Sequence, residues 1–173
     1  MARLPIFVAP APCLKAKAEA VPHVSEDIRQ LMDDMLETMI DANGIGLAAP
    51  QVGKSVRVLV MDVAEEDEQP NPICMANPEI VWASQVTCTH EEGCLSLPEQ
   101  YAEVKRPEAV RVKYLDRNNE VQELDAEGLS ATCVQHEIDH LDGKLFVDRI
   151  SGLKRSMIVR KLQKARRDEG PTV

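Results

Sequence analysis

The sequence has no long apolar run, no secretory signal and no internal repeat. Its first twelve residues contain three prolines and one arginine, and no segment approaches the roughly 18 consecutive apolar residues that a membrane helix needs. No Arg- and Ser-rich presequence precedes Leu4. We therefore expect a protein of the bacterial cytoplasm, without a membrane partner.

Positive charge is outnumbered by negative charge. Twenty Lys and Arg residues face 29 Asp and Glu residues, which gives a net charge of −9. This balance excludes a surface that envelops nucleic acid or binds broadly to anionic lipid. The exception is residues 151–173, where seven Lys and Arg face two acidic residues for a net charge of +5, against −14 in the rest of the chain. Any contact with nucleic acid must therefore be local.

The remaining composition is that of a globular protein. With 173 residues, of which 44% are hydrophobic, 28% charged and only 3% aromatic, the chain can bury one core, and disorder or a collagen-like architecture is excluded. We expect residues 1–173 to form a single domain. The five cysteines, an odd number, agree with a reducing compartment in which thiols predominate.

Three segments have the apolar spacing of helices. Residues 26–40 carry a Met-rich stripe that we interpret as core, with Ser25 as cap and Asn43-Gly44 as stop signal. A second helix is predicted for 128–141. Residues 151–173 are predicted to hold a basic amphipathic helix that Ser151 caps and that continues through Arg167. Such a helix either contacts nucleic acid or is a solvated amphipathic helix that packs its apolar residues on the core: Leu153, Met157, Ile158 and Leu162.

Short β-rich runs lie between the helices, separated by a Gly-rich segment at 44–53 and an acidic loop at 65–72. Strands are predicted at 56–62, 80–83, 86–89, 101–105, 109–115 and 121–124. The order of helix, many short strands and helix predicts an α+β fold with mainly antiparallel sheets around a central helix, that of residues 128–141.

The sharpest motif is His136-Glu137-Ile138-Asp139-His140 on that central helix. Side chains four residues apart share a helix face, so both imidazoles can reach one ion. Glu137 then lies beside the ion, where it suits a general base acting on water. The alternative is two partly exposed histidines beside an ordinary acid, since five-residue motifs recur by chance.

The third ligand of such a site must lie upstream. No histidine follows His140, and the only later glutamate is Glu169, near a polar terminus. His23 and His90 are the other histidines. Cys94 is the candidate, because it lies in the segment Glu91-Glu92-Gly93-Cys94-Leu95-Ser96-Leu97-Pro98, at the edge of a Gly- and Pro-flanked loop. An isolated cysteine is more often a core residue.

Three segments in order, GIGLAAPQVG, EGCLSLP and QHEIDH, together resemble the peptide deformylase family. All fixed positions of the family's three motifs are filled, and the similarity runs along essentially the whole chain. The resemblance implies that Cys94, His136 and His140 bind one divalent ion and leave a fourth position open. Fe²⁺ is the family's physiological ion, although Zn²⁺, Ni²⁺ or Co²⁺ suit the same donors.

The resemblance also implies an activity, the removal of formate from the N-terminal formyl-methionine of nascent polypeptides. Glu137 would then transfer the proton from water to the departing amine. The Leu95 backbone N–H and the Gln51 side-chain amide would stabilise the oxyanion. Asp139 could orient His136 or pair with a base such as Arg106, and we favour the second, structural role.

Further residues match the family's substrate-binding positions. Gly46 would let an extended peptide approach its backbone. Ile45, Leu129 and Cys133, together with His136, would line an unbranched apolar slot suited to methionine. Three other residues occupy pocket-rim positions that vary within the family: His90, Tyr101 and Thr132.

Two alternatives remain at this point. A metallopeptidase would cleave unformylated peptides with the same motif. A closed structural site would need a fourth protein ligand, such as His90 or Cys88. We favour a monomer, and the resemblance implies that the C-terminal basic helix docks near the ribosomal exit tunnel.

Overall fold

The computed structural model describes residues 2–169, which form three helices and seven strands. The helices are α1 (Glu26–Asp41), α2 (Gly128–Leu141) and α3 (Gly152–Asp168), and short 3₁₀ helices span Pro12–Leu14, Ala49–Val52 and Phe146–Arg149. The strands are β1 (Gly46–Ala48), β2 (Val58–Met61), β3 (Ile73–Ala83), β4 (Thr87–Cys94), β5 (Leu97–Pro107), β6 (Ala109–Leu115) and β7 (Val121–Glu127). Residues 170–173 of the predicted basic segment lie outside the described residues.

The strands form two antiparallel sheets. One has five strands in the order β1-β2-β3-β6-β7, and the other is the β4–β5 hairpin. The expected α+β fold with antiparallel sheets is confirmed, and α2 packs against β1, β2, β6 and β7 of the larger sheet.

Strand β2 is buried on both faces because a helix covers each one. Leu59 and Met61 belong to a core shared with α2, whereas Val58 and Val60 belong to a core shared with α1. This division follows from the two-residue period of a strand, which sends successive side chains to opposite faces. The central position of α2 is thereby fixed against the sheet.

A third core joins the β4–β5 hairpin to the C-terminal segment. Leu97 and Val104 of β5 pack there with Phe146, Ile158 and Leu162. Two further apolar residues of α3 are exposed, Leu153 at 76% and Met157 at 51%. Of the four residues that the amphipathic alternative packs on the core, only Ile158 and Leu162 do so, while Leu153 and Met157 lie on the solvent face among the lysines and arginines.

Other expectations need correction. The predicted strands at 80–83, 86–89 and 101–105 are parts of longer strands, since β3 begins at Ile73, β4 ends at Cys94 and β5 spans Leu97–Pro107. The Gly-rich segment contains β1, which was not predicted. In α1 the Met-rich stripe is core, but Ile40 at its end is 65% exposed. Within residues 2–169, none of the helices is long and apolar enough to span a membrane.

Candidate metal centre and active site

Helix α2 places the two motif histidines one turn apart. Their Nε2 atoms lie 3.3 Å from each other, and Cys94 Sγ lies 3.3 Å from His140 Nε2. All three candidate ligand atoms are within 4.8 Å of one another. The sequence-predicted ligands therefore come together, although Cys94 is distant from the histidines along the chain.

Cys94 reaches α2 because a tight turn ends β4. Leu95 and Ser96 form this turn, with Cys94 paired to Leu97 across the hairpin. Residues two apart on a strand share a face, so Glu92 and Cys94 both point at α2. Cys94 is thus a strand residue at the start of a turn rather than part of a loop.

Glu92 is a functional residue that the sequence reasoning missed. Its Oε1 lies 2.9 Å from His136 Nδ1, so the carboxylate accepts a hydrogen bond there and leaves Nε2 free to bind a metal. Burial opposes the charge of Glu92, but hydrogen bonds from Arg106 and His136 lower its pKa to about 2. Its position two residues before Cys94 was the available signal, because the two share a strand face.

Behind Glu92, two arginines and Asp139 continue the chain of hydrogen bonds that begins at His136. Arg106 donates to both oxygens of Glu92, at 2.7 and 2.8 Å, and through Nη1 to Asp139 Oδ2 at 2.9 Å. Arg149 then donates to both oxygens of Asp139, through Nη2 to Oδ1 at 2.6 Å and through Nε to Oδ2. Asp139 therefore pairs with Arg106, as expected, and does not contact His136 through a hydrogen bond.

Glu137 is buried beside the cluster. Its Oε2 has no hydrogen-bond partner among residues 2–169, and burial raises its pKa to about 7 despite the opposing charges of His136 and Arg106. Burial also lowers the pKa of His140, together with the nearby charges of His136 and Arg106. Glu137 therefore has an affinity for protons that suits proton transfer.

Gln51 points its amide NH₂ group at the cluster. Its Oε1 accepts from the Ala48 backbone N–H at 2.9 Å, which fixes the orientation of the side chain. Its Nε2 donates to Ser96 Oγ at 3.2 Å and to Cys94 Sγ at 3.6 Å. Ser96, another residue not predicted from the sequence, thus helps to hold this donor in place.

A cavity of about 410 Å³ opens onto these groups. Its lining includes every predicted catalytic and substrate-binding residue, two of the three predicted metal ligands and two of the three rim residues: Ile45, Gly46, Gln51, Cys94, Leu95, Tyr101, Leu129, Thr132, Cys133, His136 and Glu137. His140 is buried behind them at 1% exposure. His90 is not among the residues that line the cavity, and its place at the rim stays a prediction.

Strand β1 and helix α2 approach each other closely at Gly46. A Cβ added to Gly46 would come within 2.6 Å of Glu137 Oε1 and 2.9 Å of Cys133 Sγ. The Cys133 thiol donates to the Ile45 carbonyl oxygen at 3.6 Å, and burial raises its pKa well above the usual value. Cys133 therefore contributes a neutral wall, and Gly46 leaves the space that Glu137 occupies.

One thiol and two imidazoles around a cavity, with a buried glutamate beside them, are typical of catalytic metal sites in hydrolases. The fit to a divalent ion is good, because Glu92 occupies the other nitrogen of His136 and directs Nε2 toward Cys94 and His140. Neither Cys88 nor His90 belongs to this cluster. The closed structural site is therefore not supported.

Comparisons with known proteins identify the family. The model of the polypeptide deformylase family matches residues 3–156. The chain is 54% identical over 167 residues to a peptide deformylase of Mesorhizobium japonicum, covering 96% of this chain and 95% of the relative. It is 51% identical over 166 residues to a peptide deformylase of Rhizobium meliloti, with coverage of 96% and 95%. The chain belongs to the polypeptide deformylase family.

Solved structures agree with this assignment. The crystal structure of peptide deformylase from Ehrlichia chaffeensis superposes with a TM-score of 0.92 at 41% identity, covering 97% of this chain and 99% of the other. A structure of a peptide deformylase from the same organism in complex with actinonin gives a TM-score of 0.91 at 43% identity, with coverage of 95% and 98%. The expected enzyme class is confirmed, and the metallopeptidase alternative is not favoured.

Proposed function

We propose that this chain removes the formyl group from the N-terminal formyl-methionine of nascent polypeptides, with Cys94, His136 and His140 holding one divalent ion. The observation that carries the proposal is the meeting of these three ligands with the buried Glu137 at one cavity. Membership of the polypeptide deformylase family supports the substrate and the reaction.

The donor set supports a first-row divalent metal. When bound, such an ion supplies Lewis-acid chemistry and makes water a stronger acid at neutral pH. We infer Fe²⁺ in the cell, with Zn²⁺, Ni²⁺ or Co²⁺ as substitutes, because imidazole and thiolate bind all four. Glu92 orients His136 for this role through its hydrogen bond to Nδ1.

Glu137 is the proton carrier of the reaction. Its Oε2 is buried, lacks a hydrogen-bond partner among the described residues and belongs to a side chain that lines the cavity. It takes a proton from the attacking water and transfers it to the amine nitrogen as the bond from the formyl carbon to that nitrogen breaks. Formate and a free N-terminal methionine are the products.

Gln51 and Leu95 stabilise the charge that develops on the formyl oxygen. The Gln51 amide is held by Ala48 and Ser96 with its donors directed at the cluster, and the Leu95 backbone lies in the turn after Cys94. A single donor of this kind contributes about 3 kcal/mol to transition-state stabilisation in comparable enzymes.

The substrate lies along β1 and its first side chain enters the cavity. Gly46 allows the peptide backbone to approach, while Ile45, Leu129 and Cys133 form the apolar wall for methionine. Tyr101 and Thr132 lie at the rim. Leu129 is 54% exposed and Ile45 43% exposed, so they form the mouth of the slot and Cys133 its buried end.

We also propose that residues 1–173 form one catalytic domain that acts as a monomer in the bacterial cytoplasm. Bacterial relatives support this location. The basic residues of α3 would contact the ribosome near the exit tunnel, where formylated chains emerge. The exposed Leu153 and Met157 lie on the same helix and are available to that contact.

The decisive experiment measures formate release. Protein purified without oxygen is analysed for bound metal and then incubated with formyl-Met-Ala, with unformylated Met-Ala peptides as control. We expect one equivalent of metal, formate from the formylated peptide and no cleavage of the control. Cleavage of unformylated peptides without formate release would contradict the proposal and favour a metallopeptidase.

A further inference from the structure

Two arginines and two carboxylates lie behind His136, and each arginine makes a bidentate contact with one of the carboxylates. Arg106 uses Nε and Nη2 on Glu92, and Arg149 uses Nε and Nη2 on Asp139. Arg106 has only Nη1 left for Asp139. The allocation matters because Glu92 Oε1 also accepts the hydrogen bond from His136 Nδ1.

Arg149 binds both oxygens of Asp139. Two parallel hydrogen bonds between a guanidinium and a carboxylate are stronger and more directional than one. With both of its oxygens bound by Arg149, Asp139 makes a single contact with Arg106. Without Arg149, Asp139 would compete with Glu92 for the two parallel donors of Arg106. A shift of Arg106 toward Asp139 would weaken the two hydrogen bonds between Arg106 and Glu92.

The balance of charge points the same way. The group contains two cationic side chains, Arg106 and Arg149, and two carboxylates, Glu92 and Asp139. Arg106 is 2% exposed, and the side chains of Glu92 and Asp139 are 4% and 7% exposed, whereas that of Arg149 is 38% exposed. Arg149 is thus the solvent-facing member, and its loss leaves one excess negative charge on the buried remainder.

We propose that Arg149 is a positioning residue for the metal centre, acting through Asp139 and Arg106 to keep Glu92 against His136. This role rests on the metal site proposed above. Arg149 would thereby connect the 3₁₀ helix Phe146–Arg149, which leads into α3, to the candidate ligand His136 on α2. Arg149 itself does not line the cavity, so it acts only through its neighbours.

The test compares Arg149→Met with Arg111→Met, which removes an exposed arginine that pairs with Asp125 at 2.7 Å on strands β6 and β7 and takes no part in the contacts behind His136. Both variants are loaded with Zn²⁺ and mixed with excess chelator. Zinc release should be about tenfold faster than wild type for Arg149→Met, as for other groups that orient a metal ligand, and unchanged for Arg111→Met. The NMR resonance of the His136 Nδ1 proton should shift only in Arg149→Met.

Circular dichroism and thermal unfolding show that each variant is folded before these measurements. Equal zinc release by wild type and Arg149→Met, with an unmoved His136 resonance, would overturn the role of Arg149. Full restoration of both readouts by Arg149→Lys would also overturn it, because an ammonium supplies charge without the two parallel donors. A wild-type protein that binds no Zn²⁺ would instead contradict the metal site itself.

Discussion

At the scale of single residues, the proposed reaction depends on the ability of the Glu137 carboxyl to take up and release a proton. The carboxyl is buried, lacks a partner for Oε2 within residues 2–169 and lies next to Gly46. Replacing the carboxyl by an amide preserves its shape and removes only its ability to exchange a proton. The role of Glu137 can therefore be separated from metal binding.

We predict that Glu137→Gln keeps its metal and loses activity. Turnover of formyl-Met-Ala should fall at least about 100-fold, the contribution typical of a general base, while metal per protein stays at the wild-type value. Both quantities are measured on the same preparation. Near-normal turnover by a fully metallated variant would rule out Glu137 as the proton carrier.

Cys94 gives the second prediction at this scale. Cys94→Ala removes the only sulfur in the cluster, so tight metal binding and activity should both be lost. Cys88→Ala is the matched control, since Cys88 lies on the same strand outside the cluster; Cys13→Ala and Cys74→Ala serve as further controls. Metal content after dialysis is the readout. A Cys94→Ala protein with native metal affinity would refute the ligand assignment.

At the scale of elements, helix α2 has a glycine with a left-handed backbone at each end. Gly143 has φ of +75°, and a Cβ there would lie 2.4 Å from the Lys15 carbonyl oxygen. Gly128, at the other end of α2, has φ of +56° but nothing within 4 Å of a Cβ. The two glycines share a backbone conformation and differ in steric room.

This difference predicts unequal costs for two alanine substitutions. Gly128→Ala should lower the free energy of unfolding by about 1–2 kcal/mol, the cost of a left-handed backbone. Gly143→Ala should cost clearly more, because backbone atoms of residues 15 and 16 must also move. Urea unfolding at fixed metal content measures both. Equal losses would show that the contact with Lys15 is unimportant.

The helices were predictable from sequence because their signals are local. The structure has α1 at Glu26–Asp41 and α2 at Gly128–Leu141, within one residue of the predicted ends. Ser25 caps α1 by accepting a hydrogen bond from the Ile28 N–H at 3.3 Å. The motif on α2 likewise predicted that His136 and His140 share a face, which follows from helical geometry alone.

The hairpin and the groups behind the histidines were not predictable in the same way. Only parts of β4 and β5 are predicted, at 86–89 and 101–105, because the strands are polar and exposed along much of their remaining length and lack there the alternation that marks a half-buried strand. Glu92 and Arg149 look like ordinary surface charges until the fold brings them to His136 and Asp139. Such partners depend on contacts between distant segments, and no local pattern encodes them.

At the scale of the whole molecule, charge is unevenly distributed. Helix α3 carries lysines and arginines on exposed positions, in contrast with the acidic remainder of the chain. Reversing Lys161, Lys164, Arg166 and Arg167 to Glu should weaken co-sedimentation with ribosomes and leave deformylation of small peptides largely intact. The native interaction should also weaken with added salt.

The control for this prediction reverses four exposed lysines elsewhere, Lys15, Lys17, Lys54 and Lys105. This variant has the same net charge as the α3 variant, so a difference between the two reports location rather than total charge. Unchanged co-sedimentation of the α3 variant at low salt would reduce the basic helix to a feature that aids solubility.

The three candidate ligands lie on two separate elements, Cys94 on the hairpin and the histidines on α2. A bound ion would therefore act as a cross-link that closes the loop between residues 94 and 136 and restricts the unfolded chain. By mass action, free metal at 100 times its dissociation constant adds about 2.7 kcal/mol to the stability of the folded state. The metal supply of the cell would then govern the lifetime of the folded protein as well as the rate of the reaction that it catalyses.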